Sequence, residues 1–351
     1  ENRSDKNSRF IPVHYLRFPA TGNQSGSPII YLAGGPGGSG ISTVSYPGFR
    51  FPLFMAMREF GDVIALDQRG TGKSRTAPKC ESKQGLPLNQ VLTDESVVTS
   101  YRAAALECVE FWKKQGIDVM GYTTIENARD IDQLRQHLNA EKVTLWGISY
   151  GSHLAFASMK LMPGKIDKVV IASAEGLNQT VKLPARTDAY FDRLQLAIDQ
   201  QPKAAAAYPD VKGLMQRVHK NLDENPIKLK ILVKDGDAVE FLFQKVHMQG
   251  LASSMIADPH RSVPMLLQVY SAIDQGATQM LPALVQRAGF DKTTISLDVM
   301  SFGMDVASGV TADKLKQYNQ QSNQSLVGKL LNFPMPQLNQ VINGLDLGDE
   351  F

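Results

Sequence analysis

Lys142-Val143-Thr144-Leu145-Trp146-Gly147-Ile148-Ser149-Tyr150-Gly151-Ser152 is the stretch that decides the reading of this chain. Lys142 to Trp146 is a short apolar run with strand character, and Ser152 to Leu161 has helical apolar spacing stopped by Pro163-Gly164. Between them, Gly147-x-Ser149-x-Gly151 fits a sharp strand-to-helix turn. There a serine takes strained dihedrals, and the flanking positions need residues without bulky side chains. The helix that follows turns its free N–H groups and positive dipole end toward the same point. Ser149 is therefore the candidate nucleophile. The bland alternative, a helix-start serine beside incidental glycines, explains neither the strand before it nor the helix after it.

Working outward, Ala33-Gly34-Gly35-Pro36-Gly37-Gly38-Ser39-Gly40 follows the apolar run Pro28 to Ala33. Acyl transfer needs two backbone N–H groups aimed at a developing oxyanion. One comes from the residue after the nucleophile, here Tyr150, and the other from a glycine-rich loop after an earlier strand. Pro36 has no N–H, so Gly34, Gly35 or Gly37 supplies it, and Gly35 is the expected donor. A dinucleotide-binding loop fits poorly, because the spacing departs from G-x-G-x-x-G and no ribose-binding acid stands out. Asp67-Gln68-Arg69-Gly70-Thr71-Gly72-Lys73-Ser74 ends like a P-loop but has Asp67 where that pattern needs glycine. It reads as a structural turn, with Asp67 and Arg69 available for ion pairing.

Further apolar runs at Asp62 to Asp67 and Lys168 to Ala172 suit strands buried on both faces of a parallel sheet. Arg9 to Phe18 alternates like a half-exposed strand, and Asn127 to Asn139 spaces Ala128, Ile131, Leu134 and Leu138 as an amphipathic helix. Strand–helix alternation predicts a doubly wound α/β fold with a mostly parallel sheet over residues 1–184. From about Pro184 the pattern is mainly helical: Tyr190 to Gln201, Val211 to Leu222, Phe243 to Ile256, Val263 to Gln275 and Ala312 to Phe333. One hairpin, Ile227 to Val233 and Ala238 to Phe241, turns at Asp235-Gly236. Residues 185–345 are expected to form a largely helical cap, and residues 346–351 to begin the return to the core.

Hydrophobic residues make up 43% and charged residues 21%, with a formal net charge of +2. That balance suits a globular protein, suggests no nucleic-acid partner, and comes with no apolar run long enough for a membrane span. No cofactor or metal site is expected. The chain begins at Glu1 rather than Met, so a removed targeting peptide or a late start is expected. Cys80 and Cys108 either stay as partly buried thiols or pair. Pairing would close a loop worth roughly 3.6 kcal/mol in a chain-entropy treatment and imply an oxidising compartment.

Taken together, these segments resemble the prolyl and tripeptidyl aminopeptidase branch of the α/β-hydrolases. Gly34 to Gly40 looks like its oxyanion loop and Asp67 to Gly72 like its strand-turn signature. Tyr122-Thr123-Thr124 with Ala128, Asp130 and Leu134-Arg135 resembles its helix before the elbow. Ala33 stands where prolyl aminopeptidases commonly place His, which turns the likeness toward the tripeptidyl group. The resemblance implies a serine peptidase acting on peptides with a free N-terminus. It also implies a Cys80–Cys108 disulfide and a periplasmic or secreted location. Glu175, after the Lys168–Ala172 run, could hold a substrate amino group, although a solvated loop acid is the plainer reading.

In this fold the acid and then the histidine follow the serine, each after a late strand. No such strands are legible before Phe351, so the last core strands are expected in a separate or further C-terminal segment. A rival reading takes Ile231 to Asp237 as the strand and acid, with His247 or His260 as base. The helical pattern after Phe243 argues against it. His153 is expected to pack or cap, and His14, His137 and His219 to be ordinary polar residues. An esterase of the same fold and a non-catalytic binding protein on a hydrolase scaffold are the alternatives.

Overall fold

The computed structural model describes residues 1–22, 26–178, 180–232, 237–307, 310–329, 334 and 338. From the N-terminus come β1 (Tyr15–Phe18), β2 (Ile29–Leu32), α1 (Gly40–Val44), α2 (Arg50–Met57) and β3 (Val63–Leu66). Then follow β4 (Cys80–Glu81), α3 (Asp94–Lys114), α4 (Thr124–His137), β5 (Val143–Ile148), α5 (Tyr150–Leu161) and β6 (Ile166–Ala172). Five strands form one sheet in the order β1-β3-β2-β5-β6, parallel except for β1, which runs antiparallel to β3. The register sets Ile29 opposite both Val63 and Thr144, and Leu32 opposite Gly147. The Gly loop and the elbow therefore leave the sheet at the same end.

Period-two alternation divides the central strands between two faces. Ile30, Leu32, Ile64, Leu66 and Leu145 pack toward α3, α4 and α5, where Trp112, Ile131 and Leu154 are fully or nearly fully buried. Ile29, Tyr31, Val63, Ala65 and Trp146 pack toward α1 and α2, against Val44 and Phe54. There Tyr31, Phe54 and Trp146 meet with ring centroids 4.7–5.0 Å apart. Each such aromatic pair contributes about 0.5–1.5 kcal/mol beyond its buried area, enough to seat α2 firmly on the sheet.

β6 departs from the sequence expectation of burial on both faces. Its burial alternates, and Val170 is 51% exposed. The physical reason is position: β6 lies at the end of the strand order, and one flank pairs with no described strand. The expected early strand is also shorter, running only from Tyr15 to Phe18.

α3 was not anticipated, because its buried stripe of Val97, Ala104, Ala105, Cys108 and Trp112 includes small residues in a polar background. Thr93 and Ser96 cap it reciprocally: Ser96 N donates to Thr93 Oγ1 and Thr93 N to Ser96 Oγ. Cys108 on this helix forms a disulfide with Cys80 on β4, with Cα atoms 5.6 Å apart.

The second half supplies α6 (Pro184–Asp199), α7 (Pro202–Ala207), α8 (Val211–Glu224), β7 (Ile227–Leu232), β8 (Ala238–Phe243), α9 (Lys245–Met255), α10 (Pro259–Asp274) and α11 (Leu281–Ala288). They share their own apolar core, in which Leu214, Met215, Val218 and Leu222 of α8 face Leu266, Leu267, Tyr270 and Ile273 of α10. β7 and β8 form a separate antiparallel pair rather than extending the main sheet. Their expected turn at Asp235-Gly236 lies outside the described residues, as do residues 346–351.

The chain then returns to the main core through β9 (Ser296–Leu297), which pairs with β4, and α12 (Val299–Ala307). Ile295, Leu297, Val299, Met300, Phe302, Met304 and Val306 belong to the sheet's apolar cluster. α13 (Ala312–Ser322) follows and ends earlier than the expected Ala312-to-Phe333 helix; Leu331 to Phe333 lie outside the described residues.

Candidate active site

Ser149 sits at the junction of β5 and α5 with φ 54° and ψ −126°, a left-handed conformation that a non-glycine residue adopts at a cost of about 1–3 kcal/mol. The surrounding structure enforces it. Ser149 N donates to Ala172 O of β6 (3.1 Å), and Ser152 N and Oγ both donate to Ser149 O (2.7 and 2.6 Å). The turn is also crowded: a Cβ on Gly151 would lie 2.0 Å from Leu32 O. Ser152 further accepts from Glu175 N at 2.8 Å, joining the elbow to the loop after β6. Its role was not legible in sequence, where it read only as the start of a helix.

The glycine loop meets the elbow directly. A Cβ on Gly34 would stand 2.8 Å from Ile148 O and 2.9 Å from Ser149 Cβ, so only glycine allows this approach. Gly34 O accepts from Gly38 N (3.0 Å), which fixes the Gly34–Gly35 peptide. Among the described residues the Gly35 N–H donates to no partner. The Tyr150 N–H belongs to the first turn of α5, where no intrahelical acceptor exists. Gly34→Ala is expected to slow covalent labelling of Ser149 by roughly 100-fold, the scale of losing one oxyanion donor; labelling rate against a phosphonate reagent measures it.

Asp67 and Gln68 hold the loop from below. Asp67 is buried and accepts from Ser39 Oγ (2.6 Å), Ile41 N (3.0 Å) and Lys73 N (2.8 Å). The 67–74 turn thus braces the loop; the ion pairing anticipated for Asp67 is replaced by these hydrogen bonds. Gln68 Nε2 donates to Ala33 O (2.8 Å) and Asn127 Nδ2 to Gln68 Oε1 (2.7 Å). Arg69 does pair: its guanidinium grips Asp130 through two bonds of 2.6 and 2.7 Å while also donating to Glu1 O and Gly121 O.

Glu175 is buried, and that burial raises its carboxyl above the usual range. Lys182 Nζ lies 3.9 Å away. Asp305 on α12, which sequence reasoning missed, is pushed up to about 7 by burial, with Glu175 raising it further. Tyr150, buried beneath the site, contacts Thr124 Oγ1 (3.1 Å) and Met304 Sδ (2.9 Å), and burial raises its hydroxyl. Two clefts, of about 490 Å³ beside Arg69 and about 380 Å³ beside His247, are lined by neither Ser149 nor Glu175. Among the described residues, no three His, Cys, Asp or Glu side chains gather into a metal-binding group.

The six histidines lie as follows. His153 on α5 sets Nδ1 3.3 Å from Gly176 O and packs its ring on Tyr150, and burial lowers its pKa. His219 bonds Tyr270 OH at 2.8 Å, and burial holds its pKa down to about 4. His247, also about 4 through burial, accepts from Gln244 N at 3.0 Å among Phe241, Phe243 and Phe290. His137 stacks edge-on to Tyr15, His14 precedes β1, and His260 is exposed on the first turn of α10. Among the described residues, none of them forms a hydrogen bond with Ser149 Oγ. The rival assignment of His247 fails structurally, because that ring is locked in the second core.

The elbow, glycine loop and parallel sheet coincide with a family model described as the alpha/beta hydrolase fold, which matches residues 27–214. The chain belongs to the α/β hydrolase fold family. Within it, the chain is similar to the serine protease Hip1 of Mycobacterium tuberculosis, 32% identical over 169 residues, which cover 45% of this chain and 31% of that protein. It is 27% identical over 175 residues to a tripeptidyl aminopeptidase of Streptomyces coelicolor, covering 46% of this chain and 31% of the relative. A proline iminopeptidase of Arabidopsis thaliana is 28% identical over 171 residues, covering 49% of this chain and 33% of that one. The matches thus span about a third of each relative's length. These three relatives carry peptidase names.

Proposed function

We propose that this α/β hydrolase is a serine peptidase that releases residues or short peptides from free peptide N-termini through an acyl-enzyme on Ser149. The observation that carries the reading is the enforced left-handed conformation of Ser149 against a glycine loop that no side chain could share. Ser149 Oγ attacks the scissile carbonyl, and the N–H groups of Tyr150 and Gly35 receive the oxyanion. The similarity to peptidase-named relatives supports a peptide as the acyl donor.

The base and its acid come, on this proposal, from polypeptide outside the described residues, whether a further C-terminal segment or a separate one. The open flank of β6 is where a strand carrying them would pair, since adjacent strand ends place side chains over the elbow. A location outside the cytoplasm, periplasmic or secreted, is supported by the Cys80–Cys108 disulfide. No described helix is long and apolar enough to cross a membrane.

A fluorophosphonate probe applied to the full-length protein tests the nucleophile. Labelling that persists in Ser149→Ala would sink it. Comparing a peptidyl anilide, its N-acetylated form and a p-nitrophenyl ester then separates an aminopeptidase from an esterase.

Glu175 and Asp305 are the proposed receptors for the substrate's ammonium group, a charge-assisted bond worth about 1.5–3 kcal/mol. Glu175→Gln is expected to raise KM for the free-amine anilide by roughly tenfold or more and to leave the acetylated substrate unchanged. The acidity of Asp305 adds a pH signature. Its raised pKa of about 7 keeps it neutral below that pH and anionic above. KM for free-amine substrates should therefore fall as pH rises through about 7, while the acetylated substrate shows no such step. Folding responds in the opposite sense: charging Asp305 costs more in the folded chain than in the unfolded one, so its contribution to stability declines as pH rises from about 4 to about 7 and stays level above.

A further inference from the structure

We infer that Ser301, on the helix that follows the cap, is a positioning residue for the oxyanion loop. The inference rests on the assignment of Ser149 and the glycine loop to acyl transfer.

The loop is anchored at both ends by the core. Ala33 O is held by Gln68, and Ser39 and Ile41 are held by Asp67. Between those anchors lie the peptides that can present N–H groups to an oxyanion. A peptide unit is planar and trans at a non-proline bond, so fixing its carbonyl aims its N–H in the opposite direction. The Gly34–Gly35 unit is fixed from within the loop by the Gly38 N–H. The Pro36–Gly37 unit has no such internal support. Its carbonyl accepts from Ser301 Oγ at 3.0 Å, a contact reaching across 265 positions of sequence.

The fit around this contact is tight. Gly37 has φ +116°, and a Cβ there would lie 2.5 Å from Ser301 Oγ, so the hydroxyl occupies the space a side chain at 37 would take. α12 cannot easily drift, because Val299, Met300, Phe302, Met304 and Val306 are buried in the sheet's cluster. Met300 also packs where a Cβ of Gly70 would stand, 2.7 Å away. Ser301 is thus a donor on a rigid mount, aimed at the Pro36 carbonyl. The N–H on the plane it fixes is that of Gly37, and Pro36 joins that plane to Gly35, whose N–H is the loop's oxyanion donor. Holding the Pro36 carbonyl therefore steadies the loop that carries the Gly35 donor, so the hole depends on a residue encoded after the cap.

Steady-state kinetics of the full-length enzyme on a free-amine peptidyl anilide test this, with thermal midpoints measured in parallel. Ser301→Ala should lower kcat about tenfold, less than the 10²–10³ of deleting a donor outright because the N–H remains but is loosely aimed. KM should stay within about twofold, and Ser301→Thr, which keeps the hydroxyl, should recover most of kcat. A purely structural role would instead lower the midpoint without splitting kcat from KM. If Ser301→Ala does not fold, Ser301→Cys keeps the volume with a far weaker donor, and the same split is read from it. Unchanged kcat in an enzyme whose labelling is abolished by Ser149→Ala would overturn the role of Ser301 alone. Labelling that survives Ser149→Ala would overturn the nucleophile assignment and this inference with it.

Discussion

Turnover of a peptidyl anilide by the full-length protein falls by roughly 10⁴- to 10⁶-fold in Ser149→Ala, the range seen when a serine nucleophile is removed from an intact triad. Stability should barely change, because alanine inherits the same φ of 54° and the hydrogen bonds that impose it come from backbone groups and Ser152. Ser149→Gly makes a sharper comparison. It removes the same Oγ yet relieves the left-handed strain, so it should be as inactive as the alanine variant while melting higher. Activity in either variant within tenfold of the parent would contradict the assignment. An equal midpoint for Ala and Gly would instead show that the strain is not stored at this residue.

The second large effect concerns Arg69. Its guanidinium is 1% exposed and bonds both oxygens of Asp130. Truncating one partner of a buried pair leaves the other charge uncompensated, a loss of about 3–5 kcal/mol. Arg69→Met should therefore lower the thermal midpoint by roughly 10 °C in a protein of this size. Arg3, which reaches Asp130 at 2.7 Å and Glu126 at 2.6 Å, softens the loss but cannot replace the bonds to Glu1 O and Gly121 O. Arg69→Met combined with Asp130→Leu should regain much of the difference, since no unpaired charge then remains in that pocket. A single variant that melts like the parent would show that the pair is held for geometry alone.

How much of this was legible in sequence follows from the range of the interactions. The elbow was readable because its determinants are contiguous: a strand, two glycines and a helix within about twenty residues. The glycine loop and the Asp67 turn were readable for the same reason, although only the structure shows that the turn braces the loop. α3 escaped because alanines form much of its buried stripe, so the periodicity of large apolar residues is faint. Ser301 and Asp305 could not have been found by local pattern. Each is an ordinary residue on a helix encoded about 150 positions after the elbow, and only tertiary packing brings that helix there. Burial of β6 was expected from its composition, yet composition cannot say whether a strand has a neighbour.

That last point bears on how such a chain survives in solution. Among the described residues no strand pairs with the outer flank of the seven-residue β6, and Val170 there is half exposed. Sheet proteins blunt such edges because a bare one templates the pairing of another molecule. Asp167 and Lys168 on the same strand are the charged gatekeepers the segment carries. A strand laid along this flank, as proposed for the segment that carries the base, would cover the edge, so the step that completes the active site would also protect the protein from itself.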